Sequence, residues 1–243
     1  MHEIKRAIIL DKDSPLLREK FSTEEGAVIL SNEQDEYMFS CAKALSNLEG
    51  SIQKAKRSLA FLDLDTLEAI AHNDETRADL IELWVDNSII RTQSIYERSL
   101  ILVNRVCYLG IANERISHEN IVCNEHVRKF GVDGLIKSIN KKCKEYRIIR
   151  NVVIHHDRYS EEELDNISLI LRANQASKEN GGEEIADESF IEQITRDYLS
   201  AKNVELTDYL RKIEGAIEEL YDSLIPIYQR KKAELGFLMK RYA

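Results

Sequence analysis

An all-α fold, an elongated bundle of long antiparallel helices, is what this sequence predicts. Two observations carry that expectation. Turn formers are scarce, with 9 Gly and 2 Pro in 243 residues, too few to punctuate a many-stranded sheet. Apolar residues also recur at helical spacing through long stretches without Gly or Pro, above all between about 75 and 109. With 32% charged and 43% hydrophobic residues, the chain is globular rather than disordered and long enough to bury a substantial core.

Residues 1–30 read as an N-terminal arm or a small hairpin, with apolar runs at Ile8-Ile9-Leu10 and Val28-Ile29-Leu30. The helical domain occupies 31–243. Ser31 with Gln34 forms a capping signature for a helix reaching about Leu62. A shorter helix follows from Asp65, and the long periodic segment stops at Gly110. Asp133 caps a helix running to about His156. Another begins near Ser160, where Glu161-Glu162-Glu163 complements the positive helix end. Residues 174–188 are polar, contain Gly181-Gly182, and read as a loop. The tail from about Asp187 is helical, with a kink or break expected at Pro226. One run opposes this reading: Ile148, Ile149, Val152, Val153 and Ile154 are β-branched and by propensity alone form a strand. Their flanks decide for helix, because Leu135, Ile136, Ile139, Cys143 and Tyr146 keep helical spacing.

A formal charge of -9 means that the surface as a whole repels polyanions, so any nucleic-acid contact needs a local basic patch. Cys41, Cys107, Cys123 and Cys143 are widely spaced and form no CxxC pair, as expected of reduced, mostly buried thiols in a cytoplasmic protein. The first residues lack a signal-peptide core, and no apolar run reaches membrane-spanning length.

Chemistry concentrates in Arg150-Asn151-Val152-Val153-Ile154-His155. A guanidinium forks onto phosphate oxygens, and an imidazole moves protons near neutral pH. On a straight helix Arg150 sits within about 60° of the stripe Leu135, Ile136, Ile139, Cys143, Tyr146, Val153 and Ile154. Asn151 and His155, four apart, share another face with Lys137, Lys141 and Lys144, with Arg158 at its edge. A charged group amid apolar neighbours must be paired or lie at an interface. The helix is therefore expected to pack partly against a second subunit.

The stretch RNVVIHH resembles the signature of the HEPN superfamily: Arg, a polar residue, and a His four to six positions after the Arg. That resemblance implies a helical bundle that dimerises, so that two motifs meet in one cleft. It also implies metal-independent RNA cleavage without a cofactor, often in toxins or antiviral effectors. Arg150 would hold the phosphate, His155 would act as acid or base, and Asn151 would orient one of them. His156 also fits the spacing; His155 is preferred because Asn151 lies one turn behind it. Lys144, Arg147 and Arg158 form the expected basic rim. The alternative within the same resemblance is an inactive HEPN-like module for RNA or protein binding. Antitoxin-paired members often carry a Tyr two residues after the His. That position is Asp157 or Arg158 in this chain, so control through such a Tyr is in doubt.

Other groupings are weaker. Cys107, His118, Cys123 and His126 match no zinc-site spacing, and His155-His156-Asp157 point apart on a helix. Asp86, Gln93, Glu97 and Asn104 share a helical face expected to be wet, and Trp84 and Tyr96 read as packing residues.

Overall fold

The computed structural model describes residues 1–18, 21–22, 27–144, 146 and 161–242. Among these the protein is all-α. The elements are α1 (Glu3–Ile8), β1 (Phe21–Ser22), β2 (Ala27–Val28), α2 (Glu33–Leu59), α3 (Leu64–Ile70), α4 (Asp74–Val106), α5 (His118–Val122), α6 (Glu125–Lys129), α7 (Val132–Cys143), α8 (Glu162–Glu179) and α9 (Glu188–Tyr242). A 3-10 turn covers Asn113–Arg115. The only described strands are an antiparallel pair with Phe21 opposite Val28.

Two compact units emerge. Unit 1 comprises Met1–Ser51, Ser94–Cys143 and Ile213–Ala243; unit 2 comprises Ile52–Gln93 and Lys144–Lys212. In unit 1 the arm is docked through Ile4 and Ile8, both fully buried, alongside a core that includes Met38, Leu45, Val103, Ile136 and Leu220. In unit 2 the core is built from Leu67, Ile81, Val85, Ile89, Leu164, Leu199 and Leu206.

Helix ends follow local chemistry and shift several expected boundaries. The cap of α2 is Asn32, one residue beyond Ser31. Its Oδ1 accepts from the Asp35 backbone N–H at 2.8 Å, and the Asp35 carboxylate returns to the Ser31 N–H at 3.2 Å. Gln34, expected to serve in that box, instead donates to the Lys232 carbonyl at 3.1 Å. Asp63 caps α3, accepting from the Thr66 N–H at 3.0 Å.

The long segment ends at Val106 rather than at Leu109. Tyr108, not a glycine, takes the left-handed position with φ 53°. Its N–H reaches the Arg105 carbonyl at 3.1 Å and the Leu109 N–H reaches Asn104 at 3.0 Å, closing both orphan carbonyls. The equivalent end of α8 uses Gly181 at φ 72°, with Gly182 donating to the Ser177 carbonyl at 2.9 Å. Residues 174–179, expected in the loop, continue α8 because Asn174 is fully buried and satisfied. It donates to Asp74 at 2.9 Å and accepts from the Ile185 N–H at 2.9 Å. Helix α9 passes through Pro226 without a break.

The helix expected to continue to His156 ends, as described, at Cys143; Lys144 and Tyr146 lie in turns. The rest of that expectation, including the place of Arg150 on the Leu135–Tyr146 stripe, lies outside the described residues.

Candidate functional site

Arg147, Arg150, Asn151, His155, His156 and Arg158 lie outside the described residues. Of the expected site and rim only Lys144 is placed, exposed in the turn after α7. The structure does place the flanks of residues 147–160, and both are fastened to one stretch of α9 within unit 2.

Tyr146 is 4% exposed. Its hydroxyl donates to the Glu205 carboxylate, and its ring centroid lies 4.6 Å from that of Tyr209. The Tyr209 hydroxyl in turn accepts from Gln93 Nε2 at 2.5 Å. On the other flank, Glu161 occupies the N-cap of α8 without capping it through its side chain. Its carboxylate accepts instead from Lys202 Nζ at 2.8 Å and from the Tyr198 hydroxyl at 3.3 Å. Lys202 Nζ also meets Glu205 Oε2 at 2.7 Å. The result is a chain of polar contacts, Tyr146 to Glu205 to Lys202 to Glu161, that closes the two flanks onto α9. Lys202 is 3% exposed, and a buried ammonium must be paired; two carboxylates do this.

These anchors were not singled out from the sequence. Tyr146 read as one member of an apolar stripe and Glu161 as a helix-end acid. The Lys202–Glu205 spacing of three was the one signal available, and it commonly marks an exposed helix face. The expectation of a wet face through Asp86, Gln93, Glu97 and Asn104 holds at Glu97, which is exposed, and is corrected at two positions. Gln93 and Asn104 are buried, Gln93 by its Tyr209 bond and Asn104 by bonds to both the carbonyl and the N–H of Ile111 at 2.8 and 3.2 Å. Trp84 and Tyr96 are buried packing residues.

Among the described residues no group of three or more His, Cys, Asp or Glu is arranged to hold a metal ion. His118 Nδ1 lies 2.5 Å from the Tyr96 hydroxyl. Cys41, Cys107 and Cys143 are buried and Cys123 is exposed. Burial pushes the Cys41 and Cys107 thiols up to about 12, so neither is a ready nucleophile. No described helix is long and apolar enough to cross a membrane.

Comparison with known proteins gives one decisive match: the Cthe2314-like HEPN family aligns with residues 37–225. That span is more than three quarters of the chain. The protein belongs to the HEPN family. No curated protein and no solved structure matches it. The HEPN match includes the helices from within α2 through most of α9, and with them positions 150–155 and both anchored flanks. The all-α fold is thus that of a HEPN domain, a class that often acts as a ribonuclease.

Proposed function

We propose that this HEPN chain is a metal-independent endoribonuclease acting in the cytoplasm, possessing one composite site where two copies of the chain meet. The observation that carries the reading is the Arg150-Asn151-x-x-x-His155 sequence inside the span that matches the family. Support comes from the Lys202–Glu161 and Tyr146–Glu205 contacts, which commit α9 side chains to both flanks of that segment.

In the reaction, His155 takes the proton of a ribose 2′-hydroxyl as the oxygen attacks the adjacent phosphorus. The bond from phosphorus to the 5′-oxygen breaks, and the second copy's His155, protonated, delivers a proton to the leaving oxygen. Products are a 2′,3′-cyclic phosphate and a free 5′-hydroxyl. Only RNA carries the required nucleophile. Arg150 forks onto the non-bridging oxygens and offsets the charge that grows on them. Asn151 orients the imidazole or the phosphate through its amide. Lys144, Arg147 and Arg158 draw the strand toward an otherwise acidic molecule. A role as a toxin or antiviral effector held in check by an antitoxin protein fits the same chemistry.

The test is cleavage of a labelled RNA by purified protein in EDTA. Wild type should yield cyclic-phosphate ends, with a rate maximum near neutral pH. His155→Ala and Arg150→Ala should each slow cutting by about 10²-fold or more while the protein stays folded and dimeric. Absence of cutting by wild type, with RNA still bound, would instead establish the inactive binding module.

A further inference from the structure

Away from the motif, unit 1 holds a cavity of about 290 Å³ that the proposed reaction does not use. Its floor is apolar: Val106, Cys107 and Ile227 are buried, and Phe130 stands half-buried at the C-cap of α6. Its rim is cationic. Lys129 closes the last turn of α6, Arg230 and Lys231 come from α9, and His126 is exposed beside them.

Glu234 is the one carboxylate among the lining residues. It is engaged by Arg230 at 3.0 Å and by Lys231 at 3.6 Å, which together hold its carboxyl below the usual range. Lys231 also lies 4.7 Å from the centroid of the Tyr108 ring, and Tyr108 hydrogen-bonds Glu33. Three fixed positive charges therefore face one negative charge in a chain whose total is -9. Lys129 has no carboxylate partner among the described residues.

A positive rim and an apolar floor with the aromatic Phe130 in the lining suit one ligand chemistry, a phosphate with an aromatic base attached. The volume is at the low end for small-molecule sites, so one nucleotide fits and a duplex does not. We infer that this cavity is a second contact point for single-stranded RNA. It takes one nucleotide of the strand, the phosphate lying against Lys129 and Arg230 and the base against Phe130. This rests on the reading that the chain handles RNA, and adds to it a binding position outside the cleavage motif.

The experiment measures affinity, not cutting, by fluorescence anisotropy with a 2′-O-methyl oligoribonucleotide, which lacks the attacking hydroxyl. Lys129→Glu with Arg230→Gln alters exposed side chains, and circular dichroism checks that the fold is kept. The pair should weaken binding about tenfold or more and lower the slope of log affinity against log salt by about 0.7, one single-strand phosphate contact. Phe130→Leu, which keeps an apolar side chain but removes the ring, should weaken binding several-fold with the salt slope unchanged. Unaltered affinity in Lys129→Glu/Arg230→Gln overturns the inference, as does a wild type that fails to hold the oligomer. A second arm uses adenosine monophosphate: binding as tight as the oligomer's would assign the site to a free nucleotide and overturn its assignment to a strand. A His155→Ala protein that binds normally but does not cut bears on the ribonuclease reading alone, so the two can fail separately.

Discussion

Tyr108 shows what a single residue can be made to accept. The left-handed conformation costs a β-carbon-bearing residue about 1–2 kcal/mol, yet the end of α4 uses it where α8 uses Gly181. Three contacts explain the choice: the hydroxyl donates to Glu33, Lys231 sits over the ring, and the Tyr37 ring meets it edge-on at 5.6 Å. The Glu33 hydrogen bond pushes the phenol up to about 12, so it remains a donor across the physiological range. Removing the contacts while keeping the conformation separates the two effects. Tyr108→Ala should destabilise the protein, because the strain stays and the contacts go. Tyr108→Gly should be more stable than Tyr108→Ala by about 1 kcal/mol. Urea unfolding midpoints of the two variants, compared at equal slope, check this; equal midpoints would mean that the left-handed turn carries no strain.

At the scale of elements, long helices were legible and their ends were not. Periodicity over thirty residues is a repeated signal, which is why the segments now seen as α2, α4 and α9 could be read without coordinates. A cap is decided by one or two hydrogen bonds, and Ser31 and Asn32 offer nearly the same chemistry one residue apart. Buried polar residues misled for a related reason. Gln93 and Asn174 carry no mark in the sequence of the partners, Tyr209 and Asp74, that make their burial tolerable. Of the proposed site, the motif could be read as a string, but its anchors could not. Glu161, Lys202 and Glu205 look like ordinary surface charge until α8 and α9 bring them together. Lys202→Met keeps the length of the stem and removes the charge, leaving two carboxylates across the gap. A loss of about 1.5–3 kcal/mol is expected, because the two carboxylates left behind are a third to a half exposed and reach water. Denaturant unfolding measures it, and a loss below about 1 kcal/mol, the range of an exposed pair, would show that the contacts are incidental to the stability of unit 2.

For the whole molecule the governing fact is charge, and the proposed mechanism must work against it. At -9 the chain repels RNA at long range and must hold it through a few cationic positions. A symmetric pair of chains doubles those positions and also supplies two imidazoles, one for each proton transfer. The dimer is therefore part of the proposed chemistry, and mixing subunits tests it. If one cleft needs His155 from both copies, only dimers with two wild-type chains cut. Wild-type and His155→Ala chains, unfolded together and refolded at a fixed total concentration, pair at random. Activity should then follow the square of the wild-type fraction, so an equal mixture retains about a quarter of the original rate. A linear decline, with about half the activity remaining, would mean that each chain carries a complete site and that dimerisation, if it occurs, serves something other than proton transfer.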